Sequence, residues 1–118
     1  MLIEIHCRDF VLTDALEDHV HKRFGFTLSR ASGQIRRVEV TLSDLNGPRG
    51  GIDKRCLVQI RLDGLQAVVI QDVQSEMYSA IDRAAGRAGR TVMRRLALNS
   101  SRRRTAATHE LNRWLPSL

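Results

Sequence analysis

Leu2 to Cys7 alternates, with Ile3, Ile5 and Cys7 on one side and Leu2, Glu4 and His6 on the other, the period of a half-buried strand. Thr13 followed by Asp14 supplies an N-cap and an acid for a first helical turn, and Leu16, Val20, Phe24, Thr27 and Leu28 then recur at helical spacing. The spacing predicts a first helix over residues 13 to 30, with Gly33 closing the turn beyond it. Val38, Val40 and Leu42 alternate with Arg37, Glu39, Thr41 and Ser43, a strand with one covered and one wet face. Asn46-Gly47-Pro48-Arg49-Gly50-Gly51 is the densest turn signal and reads as a long hairpin loop. The next run sets Cys56, Val58, Ile60 and Leu62 against Arg55, Gln59 and Arg61, and Asp63-Gly64 turns into a fourth strand, Leu65 to Gln71. From Ser75 to Leu98 the period becomes 3.6, with Met77, Ile81, Ala84, Ala85, Ala88, Val92 and Leu96 in one stripe, and Asn99-Ser100-Ser101 is expected to end this helix.

The order βαβββα packs most simply as an α+β two-layer sandwich, a four-stranded sheet with two helices on one face. Residues 1–98 form the domain, and 99–118 form a basic C-terminal tail that is expected to be flexible, in which Leu111, Trp114 and Leu115 make one apolar turn that either docks or frays. A 118-residue chain buries roughly 65% of its unfolded surface, so the core needs neither metal nor disulfide. The composition, 42% hydrophobic and 27% charged, is globular, and no apolar run nears the ~18 residues of a membrane span. Met1 to Ile5 lacks the pattern of a secretory leader, so the expected location is cytoplasmic. Cys7 and Cys56 belong to no Cys-x-x-Cys unit and read as free thiols in a reducing compartment.

The net charge of +6 is informative through its distribution. Residues 1–82 carry −2, whereas residues 83–109 contain Arg83, Arg87, Arg90, Arg94, Arg95, Arg102, Arg103 and Arg104 and no acid. Seventeen of nineteen basic residues are Arg, the side chain that grips phosphate in a bidentate fork, so a polyanion is the expected partner, nucleic acid ahead of membrane. On a helical wheel Arg83, Arg87, Arg90 and Arg94 fall opposite the apolar stripe. Like charges at these spacings cost roughly 0.2–0.5 kcal/mol a pair, and a face meant only for solubility would intersperse Glu. Phosphate binding is therefore favoured over a merely solvated face. Gly86 and Gly89 each cost about 0.8–1.0 kcal/mol in a helix and imply close approach, either of a nucleic-acid backbone or of another element of the fold. Arg95 projects on the apolar side and is expected to snorkel past the sheet's end.

Other candidates carry less. The Gly47–Gly51 loop lacks the Lys-Ser/Thr of a phosphate loop, leaving Arg49 as an auxiliary contact at most. His19 and His21, two apart on a helix, cannot share a metal and read as surface histidines; His6 and His109 have no evident ligand or nucleophile partners. No nucleophile motif or paired-carboxylate pattern calls for an enzyme, and no metal or cofactor is expected. Aromatic residues are only 4%, and none alternates on the exposed sheet, which argues against base stacking on strands and for recognition of folded RNA by shape and phosphate.

Ile3-Glu4-Ile5, Leu12-Thr13-Asp14-Ala15-Leu16, the βαβββα order and above all Met77-Tyr78-Ser79-Ala80-Ile81-Asp82 opening a basic helix resemble the ribosome hibernation-promoting factor and ribosome-associated inhibitor family, once called sigma-54 modulation proteins. The resemblance covers about residues 1 to 98 and implies a non-enzymatic factor that binds rRNA at the decoding region of the small ribosomal subunit, blocks messenger and transfer RNA there and silences idle ribosomes. It assigns rRNA contacts to Arg83, Arg87, Arg90 and Arg94, with Lys22 and Arg23 on the first helix as weaker candidates. Arg49, Arg95, Arg102, Arg103 and Arg104 are auxiliary candidates, the last three reading either as an electrostatic arm or as a solvated spacer. The Asn46–Gly51 loop is longer than the family's hairpins, helix two carries unusual glycines, and the dimerisation domain of long-form members has no room here, which implies a short form. Two rival readings are a protein-interaction or transcription-linked module and a general RNA chaperone.

Overall fold

A computed structural model of the chain describes the backbone over residues 1–45 and 52–114 and the side chains over 1–45 and 52–100. The elements run β1 (Leu2–Arg8), α1 (Asp14–Thr27), a 3-10 segment (Ser29–Gln34), β2 (Ile35–Asp44), β3 (Lys54–Leu62), β4 (Val68–Gln74) and α2 (Met77–Trp114). The sheet order is β1-β2-β3-β4, with β1 parallel to β2 and the other pairs antiparallel. Parallel neighbours need a crossover, and α1 supplies it. Thr13 caps α1 as its sequence requires, its hydroxyl accepting the Leu16 N–H at 3.2 Å.

The register lines up three rows across all four strands: Ile3-Val38-Ile60-Val68, Ile5-Val40-Val58-Ile70 and Cys7-Leu42-Cys56-Asp72. Leu16, Val20, Phe24 and Leu28 from the α1 side and Ile81, Ala84, Ala85, Ala88 and Val92 from α2 cover this face and are buried with it. The alanines let α2 lie close to the sheet, as the predicted two-layer sandwich requires. Asp72 is the single polar member of the three rows, and it is 8% exposed.

Three elements depart from the sequence reading in their bounds. The fourth strand begins at Val68 and runs to Gln74, not from Leu65 to Gln71. Gly64 adopts φ +69°, a left-handed turn conformation, and the chain needs until Val68 to rejoin the ladder. The first α-helix ends at Thr27 and gives way to the 3-10 segment. The second helix does not stop at Asn99-Ser100-Ser101 but continues to Trp114. Asn and Ser cost only a few tenths of a kcal/mol more than good helix formers. The first true breaker after them is Pro116. The Asn46–Gly51 loop reading, with Arg49, lies outside the described residues.

Candidate nucleic-acid interface

The amphipathic period of α2 that buries Ala84, Ala85 and Ala88 turns Arg83, Arg87, Arg90 and Arg94 outward, and all four are exposed along one ridge. They fall into two pairs. Arg87 donates to the Gln71 carbonyl at 2.7 Å and lies 3.3 Å from Asp72 Oδ2, while Arg83 Nε lies 3.6 Å from the same oxygen. These two arginines neutralise the carboxylate that β4 places in the sheet's covered face, and they keep 45% and 64% of their side chains in water. Arg90 and Arg94 make no ion pair among the described residues.

The open face of the sheet differs. Glu4 binds Arg37, Arg37 lies 3.4 Å from Glu39, and Arg61 lies 3.9 Å from Glu39, so cations from β2 and β3 meet acids from β1 and β2. Arg36 bonds Asp63 at 2.5 Å. The Glu4 contact raises the Arg37 pKa, fixing its charge in place. Arg8 and Arg55, in the open-face row with Ser43, form no ion pair among the described residues, so unpaired cations occur on both sides of the domain, and α2 differs in setting Arg90 and Arg94 on one helical ridge.

Between the helices, Asp82 of α2 accepts from His19 at 2.7 Å and lies 3.1 Å from Arg23 Nε, and the His19 ring meets Tyr78 edge-on with centroids 4.8 Å apart. His19 is therefore half-buried and joins the two helices, where the sequence reading had a surface histidine. Arg23 is committed to Asp82, whereas Lys22 is exposed. Arg95 reaches back to the β3–β4 connection and donates to the carbonyls of Gln66 and Ala67 at 2.9 and 3.1 Å. The side chains of Arg102, Arg103 and Arg104 lie outside the described residues.

The two helical glycines have different causes. A Cβ at Gly89 would sit 2.7 Å from the Thr27 carbonyl oxygen, so packing of α1 on α2 forbids one. At Gly86 a Cβ would meet only the tip of Arg90, at 3.4 Å, and space beyond is open. That space is a groove of about 520 Å³ between the end of α1 and the middle of α2, bordered by Phe26, Arg30, Arg90 and Met93. Phe26 is 76% exposed. Sequence reasoning passed over Phe26 and Arg30, although Phe24 and Phe26, two apart on a helix, cannot both face the core.

Burial pushes the Cys56 thiol up to about 12, with the nearby Asp72 charge adding to it, and burial also raises Cys7. Neither is a thiolate near neutral pH. No group of three or more His, Cys, Asp or Glu side chains that could hold a metal occurs among the described residues, and no described helix is long and apolar enough to cross a membrane.

The family model described as Sigma 54 modulation protein / S30EA ribosomal protein matches residues 3–97. Among solved structures, the Thermus thermophilus Protein Y N-terminal domain is similar with 28% identity and a TM-score of 0.67, over 80% of this chain and 98% of that one. A ribosomal subunit interface protein from Coxiella burnetii shares the fold, with 15% identity and a TM-score of 0.69, over 82% of this chain and 99% of that one. No curated protein sequence matches.

Proposed function

The chain belongs to the Sigma 54 modulation protein / S30EA ribosomal protein family, and from that premise we propose that it is a non-enzymatic ribosome-associated factor that binds rRNA at the decoding region of the small subunit. Seated there, the domain blocks messenger and transfer RNA by occupying their path and so holds idle cytoplasmic ribosomes silent. The observation that carries this reading is the exposed arginine ridge of α2, in which Arg90 and Arg94 have no acid partner among the described residues and Arg83 and Arg87 share one carboxylate while 64% and 45% exposed. Guanidinium groups at fixed spacing on a helix match phosphates at fixed spacing on folded RNA, and they act by position and charge rather than by base pairing. The family match and the similarity to the Protein Y N-terminal domain, with a fold shared with a ribosomal subunit interface protein, support a ribosomal partner.

Co-sedimentation with purified small subunits across a salt series tests the proposal. With about 4–6 phosphate contacts, log K should fall against log salt with a slope of roughly −3 to −5. Replacement of Arg90 and Arg94 by Gln should weaken binding while the domain stays folded. Unaltered sedimentation of the folded variant would remove the ridge from the site, and equal affinity for unrelated duplex RNA would turn the reading into a general RNA chaperone.

A further inference from the structure

We infer that the groove between α1 and α2 receives one unstacked nucleotide of the RNA, its base against Phe26 and its phosphate between Arg30 and Arg90. The inference deepens the rRNA-binding reading and rests on it for the source of the nucleotide.

The argument begins with a ring left in water. Phe24 is fully buried, yet Phe26 on the same helix is 76% exposed and borders the groove. An aromatic face in solvent beside cations is the arrangement on which a nucleobase stacks regardless of its identity. Arg30 of the 3-10 segment and Arg90 of α2 border the same groove, and neither forms an ion pair among the described residues. Among the described residues no acid lines the groove, so the charge of its described lining complements a phosphate.

The glycines give it depth. Gly89 is required by Thr27 and fixes how closely the helices approach. No packing contact requires Gly86, because an added Cβ would meet only Arg90, and its absence leaves the groove floor open. A volume of about 520 Å³ lies within the usual range of small-molecule sites, ~300–1,000 Å³. Past Met93 a second hollow of about 410 Å³ shares Arg30 and Met93 and adds Gln34, Leu96 and Asn99, a mixed apolar and polar surface continuous with the groove.

The test uses the trinucleotide ApApA as an NMR probe and purified small subunits as the physiological target. ApApA should shift the amides of Phe26, Arg30, Gly86 and Arg90 and move the Phe26 ring protons, whereas a blunt RNA duplex should not move the ring. Gly86→Leu places a good helix former over the groove floor and should abolish the ApApA response with the fold intact by its amide spectrum. Phe26→Ala should weaken subunit binding about tenfold, and Phe26→Trp should keep it. Shifts confined to other surfaces, an equal ring response to the duplex, or a Phe26→Ala protein that binds subunits like wild type would each overturn the inference while leaving the rRNA reading standing. Failure of the wild-type protein to bind subunits would instead overturn that reading. A groove that responds to an acidic peptide and not to ApApA would replace the nucleotide with a protein partner.

Discussion

Arg87 reaches from α2 to Asp72 on β4, at 3.3 Å, while also donating to the carbonyl of the preceding residue, Gln71. A side chain read from sequence as a phosphate ligand thus also fastens the helix to the edge strand. Arg83 shares the same carboxylate, so the two exposed cations hold a nearly buried anion in place.

Stability and binding should therefore separate along the ridge. Arg83→Gln with Arg87→Gln should destabilise the domain by about 1–3 kcal/mol in urea unfolding, because Asp72 loses its cations inside the sheet's covered face. Adding Asp72→Asn should recover part of that loss, a coupling that independent surface changes would not produce.

Arg90→Gln with Arg94→Gln should leave unfolding within about 0.5 kcal/mol of wild type, since both side chains are exposed and form no ion pair among the described residues. Small-subunit binding should weaken, and the salt slope should fall by about one for each phosphate contact removed. A steeper slope in this variant would contradict the assignment.

The two helical glycines should respond with opposite signs. Gly89→Ala forces a methyl against the Thr27 carbonyl and should cost about 1–3 kcal/mol. Gly86→Ala meets only the mobile end of Arg90 and should gain up to about 1 kcal/mol from helix propensity. Thermal unfolding of the two single variants is sufficient to compare them.

Cys56 gives a pH-dependent signature. Its thiol is held protonated up to about 12 in the folded state, whereas an unfolded chain ionises near 8.5–9. Between those values the unfolded state binds fewer protons, so stability contributed by Cys56 is complete below pH 9 and declines as pH rises toward 12. Cys56→Ala should flatten that decline in urea titrations, and iodoacetamide at pH 8 should reach half-exposed Cys7 well before Cys56.

A chain shortened after Ser100 addresses the remaining arginines. If Arg102, Arg103 and Arg104 serve as phosphate contacts, the truncated protein should fold with unchanged sheet signals and lose up to about three from its salt slope. An unchanged slope would make them a spacer.

Much of this architecture was legible because periodicity follows from burial. Val38, Val40 and Leu42, and then Cys56, Val58 and Ile60, alternate because only one face of the sheet is covered, and the same constraint put the four arginines opposite Ala84, Ala85 and Ala88. What escaped depended on contacts between distant residues. Ending the last strand at Gln71 left Asp72 outside the sheet, so its claim on Arg83 and Arg87 was invisible. His19 and Asp82 lie 63 residues apart, and nothing local marks their bond. The groove depends on how closely α1 approaches α2, and Gly89 announced only that something comes near. Asn99 to Ser101 resembled a stop because weak helix formers clustered there, but a helix already extended needs more than that to end.

The contact of Gly89 with Thr27 has a kinetic consequence. Because backbone meets backbone there, the spacing of α1 and α2 is set by the fold before any RNA arrives. A surface preorganised in this way forfeits little entropy of ordering on docking. Its association should be a single fast phase, accelerated by charge and slowed by salt, with no concentration-independent step that would betray a helix having to move first.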